Sequence, residues 1–308
     1  MTRKKKTKQI EIILGIILLI TMLLFGTQYE EVEDFFNPTK SVTNKVTAEE
    51  SENVILEGED ILQIHFFDVG QADSTLLISD GKTMLIDSGN NEDGDLIVSN
   101  IKKLGISKLD YVIGTHPHED HIGSLDDVIY NFEIGTIYMP KVQTNTETFE
   151  NVLDAIATKN LSVTSPNVGN KFTVGKAECE VMLCGDGSEE EQENLNLSSL
   201  VIRVVYNEQS YLFMGDSEKE NEDSRSWIQT NVIKIGHHGS DTSSSEKFLK
   251  QVLPQIAIIS VGKDNSYGHP KKKTLEKLSK LGTLVYRTDE KGNILLESDG
   301  KKNKVSFY

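Results

Sequence analysis

Thr115-His116-Pro117-His118-Glu119-Asp120-His121 decides how this 308-residue chain is read. Three of its seven histidines and an aspartate follow Thr115 within six residues, directly behind the apolar run Leu109–Ile113. A strand that ends in clustered nitrogen and oxygen donors has one common chemical use, holding a metal. Imidazole suits zinc and its neighbours, and carboxylate suits zinc and manganese alike. His116 and His118 lie two apart, so in an extended segment they point the same way and can share one ion. Asp120 and His121 are adjacent and diverge; with a helix over 122–130 they stand at its N-terminus, aimed elsewhere. The spacing therefore predicts two neighbouring metals served by one loop, against the plainer alternative of a polar turn with surface histidines.

Two further strand ends extend the set. Tyr211–Met214 ends at Gly215-Asp216-Ser217, where glycine permits close approach and a carboxylate can bridge two cations. Val232–Ile235 ends at Gly236-His237-His238-Gly239-Ser240. The sum predicts a dinuclear centre: His116 and His118 on one ion, Asp120, His121 and a later histidine on the other, and Asp216 between them.

Around these loops the pattern predicts an α/β fold, an αββα sandwich of two sheets covered by helices. Strands are expected at 61–69, 74–79 and 83–86, the last ending at Asp87-Ser88-Gly89. Leu96, Ile97, Ile101 and Leu104 give helical spacing over 95–104, stopped by Gly105. After the metal strand come a helix near 122–130, a strand at 136–139 and a helix over 146–159. Strands follow at 171–175, 178–183, 198–206, 210–214, 232–235, 256–261, 283–286, 293–297 and 303–307, with helices at 245–252 and 273–281. No strict internal repeat occurs.

The net charge of −16 excludes a protein built to coat a polyanion, so a nucleic-acid substrate would need metal ions or a local basic patch. Two cysteines, Cys179 and Cys184, exclude a disulfide framework; five apart, they face opposite sides of a strand. Arg3, Lys4, Lys5, Lys6 and Lys8 precede the apolar run Ile12–Phe25, a positive-inside pattern. Residues 1–27 are read as an uncleaved signal anchor that places the rest of the chain outside the cytoplasm. A cleaved signal and a secreted protein is the alternative, because the run is short for a spanning helix. Residues 28–60 hold ten acidic residues against Lys40 and Lys45 and read as a solvated linker. The globular domain is expected over 61–308.

The His-x-His-x-Asp-His core, the Gly-Asp and the His-His-Gly-Ser resemble the metallo-β-lactamase fold superfamily. More narrowly, the chain resembles the extracytoplasmic domain of the ComEC competence proteins. That likeness rests on Asp68–Asp73, Ile86–Gly89, Thr115–Gly123, Ser199–Val201, Phe213–Ser217, Lys234–Ser240 and Ser260–Pro270. Phosphorylcholine esterases of the superfamily are similar around His-His-Gly-Ser. The polytopic membrane part of the competence proteins is absent from this sequence, so the resemblance implies a hydrolase domain, and a role as a DNA channel is not carried over. It implies His238 as the last metal ligand, since that residue fits the His-x-Ser pattern, and leaves His237 to hold a substrate phosphoryl oxygen or simply to pack. Many relatives place a third histidine on the first ion. No histidine lies between 122 and 236 here, and Asn196-Leu197-Ser198-Ser199 offers oxygen donors or room for water in its place. Asp87 is expected to hydrogen-bond a ligand imidazole and fix its tautomer. Asp73 either does the same or stabilises a turn. In Asn265-Ser266-Tyr267-Gly268-His269-Pro270, His269 is a candidate substrate contact or proton donor. Lys271, Lys272 and Lys273 either face a phosphate-bearing substrate or form a solvated surface run.

Two divalent ions, Zn or Mn, would lower the pKa of water between them and clamp both oxygens of a phosphodiester. The expected activity is a phosphodiesterase or nuclease acting on a phosphodiester substrate such as DNA. Asp120, Asp216, His237 and His269 are its candidate catalytic residues, and His237, His269 and Ser199 its candidate substrate contacts. A phosphocholine-type or other small-ester hydrolase, and a surface binding protein with a non-catalytic metal site, are the alternatives.

Overall fold

A computed structural model describes residues 60–308. The expected anchor over 1–27, and all but Asp60 of the expected linker, lie outside the described residues. Among the described residues no helix is long and apolar enough to cross a membrane.

Among the described residues fifteen strands form two sheets. They are β1 (Leu62–Phe66), β2 (Thr75–Ser79), β3 (Lys82–Ile86), β4 (Lys108–Ile113), β5 (Glu133–Tyr138), β6 (Val163–Thr164), β7 (Lys171–Val174), β8 (Ala177–Leu183), β9 (Val201–Tyr206), β10 (Gln209–Phe213), β11 (Val232–Lys234), β12 (Ile256–Ile259), β13 (Leu284–Arg287), β14 (Ile294–Ser298) and β15 (Asn303–Phe307). One sheet has the order β15-β14-β1-β2-β3-β4-β5-β6, the other β13-β12-β11-β10-β9-β8-β7. Alternation builds the layers. Met84 and Ile86 join the core between the sheets with Leu77, Ile202, Tyr211 and Phe213, while Leu85 and Leu76 face the opposite side. That opposite face is covered by Ile97 and Ile101 of helix α1 (Gly94–Lys103), then by Val128 and Ile129 and by Phe149 and Val152. The outer face of the second sheet meets Phe248, Leu249 and Leu278. The result is the four-layer mixed α/β sandwich.

The expected helix over 122–130 is two helices, α2 (Glu119–Ile122) and α3 (Leu125–Asn131). His118, extended at φ −81 and ψ 150, starts the first of them. The break falls where the Gly123 N–H donates to Gly89 O at 2.8 Å as well as to Glu119 O at 2.7 Å. A Cβ at Gly123 would strike the backbone of Asn90 and Asn91, so only glycine lets these loops touch. The 146–159 helix is α4 (Glu147–Thr158), capped by Thr146 Oγ1, which accepts from Phe149 N. Two short helices carried no apolar period in the sequence: α5 (Glu189–Glu193), capped by Ser188, and α6 (Lys219–Asp223). They are followed by α7 (Glu246–Val252), α8 (Lys272–Lys280) and α9 (Thr288–Lys291). Cys179 and Cys184 are free, and burial pushes both thiols up to about 12.

Strands β3, β4, β5 and β6 run parallel, as do β10, β11, β12 and β13. Loops leaving the carboxyl ends of parallel strands share one edge of a sheet, the place where such sheets bind ligands. Here those loops carry Asp87, Thr115, Asp216, His237 and Ser260.

Glu222 on α6 holds the loop after β11 from outside. Its two carboxylate oxygens accept the Ser244 and Ser245 N–H groups at 2.6 Å each, just before α7. Burial pushes this carboxyl up to about 7 against the pull of those two bonds. Between its ordinary value of 4.5 and about 7 the folded chain keeps a proton that the unfolded chain has lost. Its contribution to stability is therefore full below pH 4.5 and is lost as pH rises through 7. Glu222→Gln, which stays neutral, should gain on the wild type by on the order of 3 kcal/mol between pH 4.5 and 8. Urea unfolding of both proteins across that range reads the difference; a gap independent of pH would count against it.

Candidate metal centre

β4 delivers its loop with little freedom. After the buried Val112 and Ile113, Gly114 N donates to Tyr138 O at 3.0 Å, and the Thr115 N–H donates to Asp87 Oδ1 at 2.8 Å. Asp87, at φ +60, also accepts Thr115 Oγ1 on Oδ2 at 2.8 Å and faces His121 Nδ1 at 2.8 Å. One buried carboxylate thus fixes both the start of the loop and the ring that ends it. Three more backbone bonds lace the neighbouring loops: Asp73 N to Asp120 O at 2.9 Å, Ser88 N to His121 O at 2.7 Å and Gly89 N to Asp73 O at 2.8 Å.

The extended segment points His116 and His118 the same way, with His116 Nε2 2.9 Å from His118 Nδ1. Asp120, His121, Asp216 and His238 form the second group, each offering one ligand atom within 4.8 Å of the others. His121 Nε2 lies 3.2 Å from Asp216 Oδ1, and His238 Nε2 lies 3.2 Å from Asp120 Oδ2 and 3.8 Å from Asp216 Oδ2. His237 and His238 both adopt left-handed backbone, φ 51 and 50, a conformation more tolerable for histidine than for most residues. It turns the two rings in different directions. His238 Nδ1 is tied to Ser260 O at 3.0 Å, while His237 Nδ1 faces Thr242 Oγ1 at 3.0 Å and Glu218 Oε1 at 3.2 Å. His237 Nε2 is then 3.7 Å from Asp216 Oδ2.

The electrostatics call for cations. Burial disfavours charge on His121, but Asp216, Asp87 and Asp120 outweigh it and hold this imidazole well above its ordinary value. Burial likewise opposes ionisation of Asp216, yet His121 and His238 hold its carboxyl well below the usual range. Burial, then His121, lowers His116 far below the ordinary histidine value, leaving it neutral, the form that binds metal. His121 Nε2 and Asp216 Oδ1 are both buried, and neither has a hydrogen-bond partner. Two orphaned buried donor atoms facing each other suit a divalent ion better than a lone proton. These donors fit a divalent ion.

Other residues singled out in the sequence fall into place around this group. Ser199 is fully buried, and its Oγ accepts the Asp216 N–H at 3.1 Å, so it pins the backbone at Asp216. Asp73 is buried, with Oδ1 3.4 Å from His238 Nδ1. In the segment that replaces the third histidine, Ser198 Oγ donates to Leu195 O at 2.7 Å, and Asn196 Oδ1 is buried without a partner. His269 stands 5.7 Å from the His237 ring, and burial, then His237, lowers it to about 4. Gln71, His118, Glu119, Asp120, Asp216, His237, His238, Tyr267 and His269 line a cleft of about 320 Å³. Of the lysines, Lys271 donates to Tyr267 O at 2.6 Å, and Lys272 and Lys273 are exposed.

Three contributors were missed in the sequence. Glu218 faces His237 Nδ1 and accepts from Thr242 Oγ1 and the Asn194 and Asn196 amides; against its burial, these contacts bring it down to about 2. Its partner is 19 positions away, and no local spacing announces that. Tyr267 lines the cleft from a loop that drew notice only for His269. Lys234 pairs with Asp73 inside the sandwich, and the sequence did carry its signal: a lysine at an inward position of the apolar strand Val232–Ile235.

Comparison with known proteins agrees with the fold. The profile of the metallo-beta-lactamase superfamily matches residues 67–263. ComE operon protein 3 of Bacillus subtilis is 31% identical over 208 residues, 66% of this chain and 26% of that protein. Recombination protein 2 of Haemophilus influenzae is 28% identical over 244 residues, 75% of this chain and 28% of that protein. The chain thus spans little more than a quarter of the length of these relatives. Among solved structures, the metallo-beta-lactamase fold protein YhfI of Bacillus subtilis superposes with a TM-score of 0.54 at 12% identity, covering 78% of this chain and all of that one. At that identity the likeness is one of fold.

Proposed function

The chain belongs to the metallo-beta-lactamase superfamily, and from that premise we propose that it is a metal-dependent phosphodiesterase acting on nucleic acid outside the cytoplasm, held at the membrane by its N-terminal apolar run. One observation carries the reading: two donor groups, His116 with His118 and Asp120 with His121, Asp216 and His238, sit side by side, and buried atoms of the second have no other partner. His116 and His118 would hold one divalent ion, zinc or manganese; Asp120, His121 and His238 would hold a second, with Asp216 between. When bound, such ions lower the pKa of water and offset charge on phosphoryl oxygens.

The rest is the work of the chain's own residues. Asp87 keeps His121 in one tautomer, and Ser199 pins the backbone from which Asp216 projects. Glu218 and Thr242 hold one side of the His237 ring, so its other nitrogen faces the cleft, where a phosphoryl or leaving oxygen would lie. No serine or cysteine lines the cleft, and with water as the attacking group no covalent enzyme intermediate is needed. The net charge of −16 disfavours long polyanion contacts, which restricts recognition to the cleft and its rim.

The test is metal analysis of the purified full chain, then hydrolysis of bis(p-nitrophenyl) phosphate and of plasmid DNA with Zn²⁺ or Mn²⁺. About two ions per chain, metal-dependent turnover of the ester and plasmid cleavage are expected. Bound metal with neither substrate cleaved would overturn the proposal in favour of small phosphocholine-type esters or a binding role.

A further inference from the structure

We propose that Tyr267, stacked on His269, is a platform for the base of the nucleoside next to the scissile phosphate. The inference rests on the phosphodiesterase reading and adds a subsite to it. Tyr267 is 65% exposed, more than any other large apolar side chain among the described residues. A tyrosine ring left in water forgoes a sizeable burial gain, which is unremarkable on a slack loop. This loop is not slack. Asn265 donates through Nδ2 to Gly262 O at 2.9 Å and His269 O at 2.7 Å, and its Oδ1 accepts the His269 N–H at 3.0 Å. Lys271 holds Tyr267 O, and Gly262 N donates to Gln71 Oε1 at 3.1 Å on the opposite wall. The exposed ring is therefore presented on a braced support.

Its position points to the ligand. The Tyr267 and His269 rings lie 5.7 Å apart and 25° from parallel, and His269 is in turn 5.7 Å from His237, beside Asp216. Tyr267 also lines a second cavity of about 600 Å³ that shares Gln71, Glu119 and Asp120 with the metal cleft. Asp68, Glu92 and Asp93 make the far wall of that cavity acidic. Such a wall repels a second phosphate but accepts the amino groups of a base edge. A planar, uncharged ring one step from the reacting phosphate satisfies both the free aromatic face and the acidic wall.

The test compares the metal-loaded full chain with Tyr267→Ala and Tyr267→Trp on a dinucleotide and on the same dinucleotide lacking one base. The wild type is expected to show a KM about tenfold lower for the intact dinucleotide. In Tyr267→Ala the two KM values converge while kcat for the dinucleotide is kept, and Tyr267→Trp restores the gap. Fluorescence of a dinucleotide carrying 2-aminopurine gives a readout independent of turnover: quenching by the wild type, lost in Tyr267→Ala, supports stacking even if no hydrolysis occurs. Equal KM values in the wild type, or quenching unchanged in Tyr267→Ala, would overturn the proposal. So would a choline phosphodiester whose KM rises in Tyr267→Ala while the dinucleotide's does not, since the ring would then serve a cation. Failure to hydrolyse either dinucleotide, by contrast, tells against the phosphodiesterase reading alone.

Discussion

Asp216→Asn should abolish the metal-induced rise in melting temperature and lower hydrolysis by more than about 100-fold, since even residues that only support a metal ligand matter on that scale. The substitution preserves shape, so its effect isolates charge. Asp216 is buried, and its N–H is pinned by Ser199. Its oxygens face three imidazoles, His121 at 3.2 Å, His237 at 3.7 Å and His238 at 3.8 Å. An amide can present one oxygen there but cannot offset positive charge. Binding that favours the folded state raises its stability by RT ln(1 + [L]/Kd), about 2.7 kcal/mol at 100 times Kd. Losing that increment while the metal-free proteins melt alike would place the defect at the ions. A metal-free variant that already melts far below the wild type would instead make Asp216 a structural residue. Melting with and without Zn²⁺ or Mn²⁺, beside metal content and ester hydrolysis, separates the outcomes.

The layers and the meeting of the metal loops were legible in the sequence for one reason. Each site stretch follows an apolar strand whose end is marked by glycine or by clustered polar residues, as in Ile113-Gly114-Thr115 and Phe213-Met214-Gly215-Asp216. Period-two alternation places such strands, and strand ends on one edge of a sheet converge. Helix bounds were less legible where tertiary contacts set them. The interruption at Gly123 comes from its approach to Gly89 and Asn90, which no local pattern encodes. Helix α5 is Glu-Glu-Glu-Gln-Glu with no apolar face, and only the Ser188 cap marks it. The supports of the site were less evenly legible. Asp87 was expected beside a ligand imidazole, and folding decides that the ring is His121; Glu218 and His237 meet across a loop, a pairing that exists only after folding.

Lys234 gives the second large effect, and it decides what Asp73 does. Strand β11 sends Val232 into the core between the sheets and Ile233 to the helix side, so Lys234 points inward again and is 3% exposed. Its ammonium pairs with Asp73 Oδ2 and donates to Ile235 O at 3.2 Å. The other Asp73 oxygen lies 3.4 Å from His238 Nδ1. Lys234→Met leaves Asp73 buried without its cation and should cost about 3–5 kcal/mol in the metal-free protein. Adding Asp73→Leu removes the stranded charge, and most of that loss should be recovered, because a buried pair exchanged for apolar side chains is often near neutral. The backbone bonds of residue 73 to Asp120 and Gly89 do not depend on its side chain. Metal affinity should behave differently. If Asp73 steers His238, the double variant stays about 10–100-fold weaker for metal although its fold is restored. If Asp73 serves only to neutralise Lys234, stability and affinity return together. Urea unfolding without metal and equilibrium dialysis with Zn²⁺ measure the two separately, and recovery of stability without recovery of affinity would identify Asp73 as a support of the metal ligand.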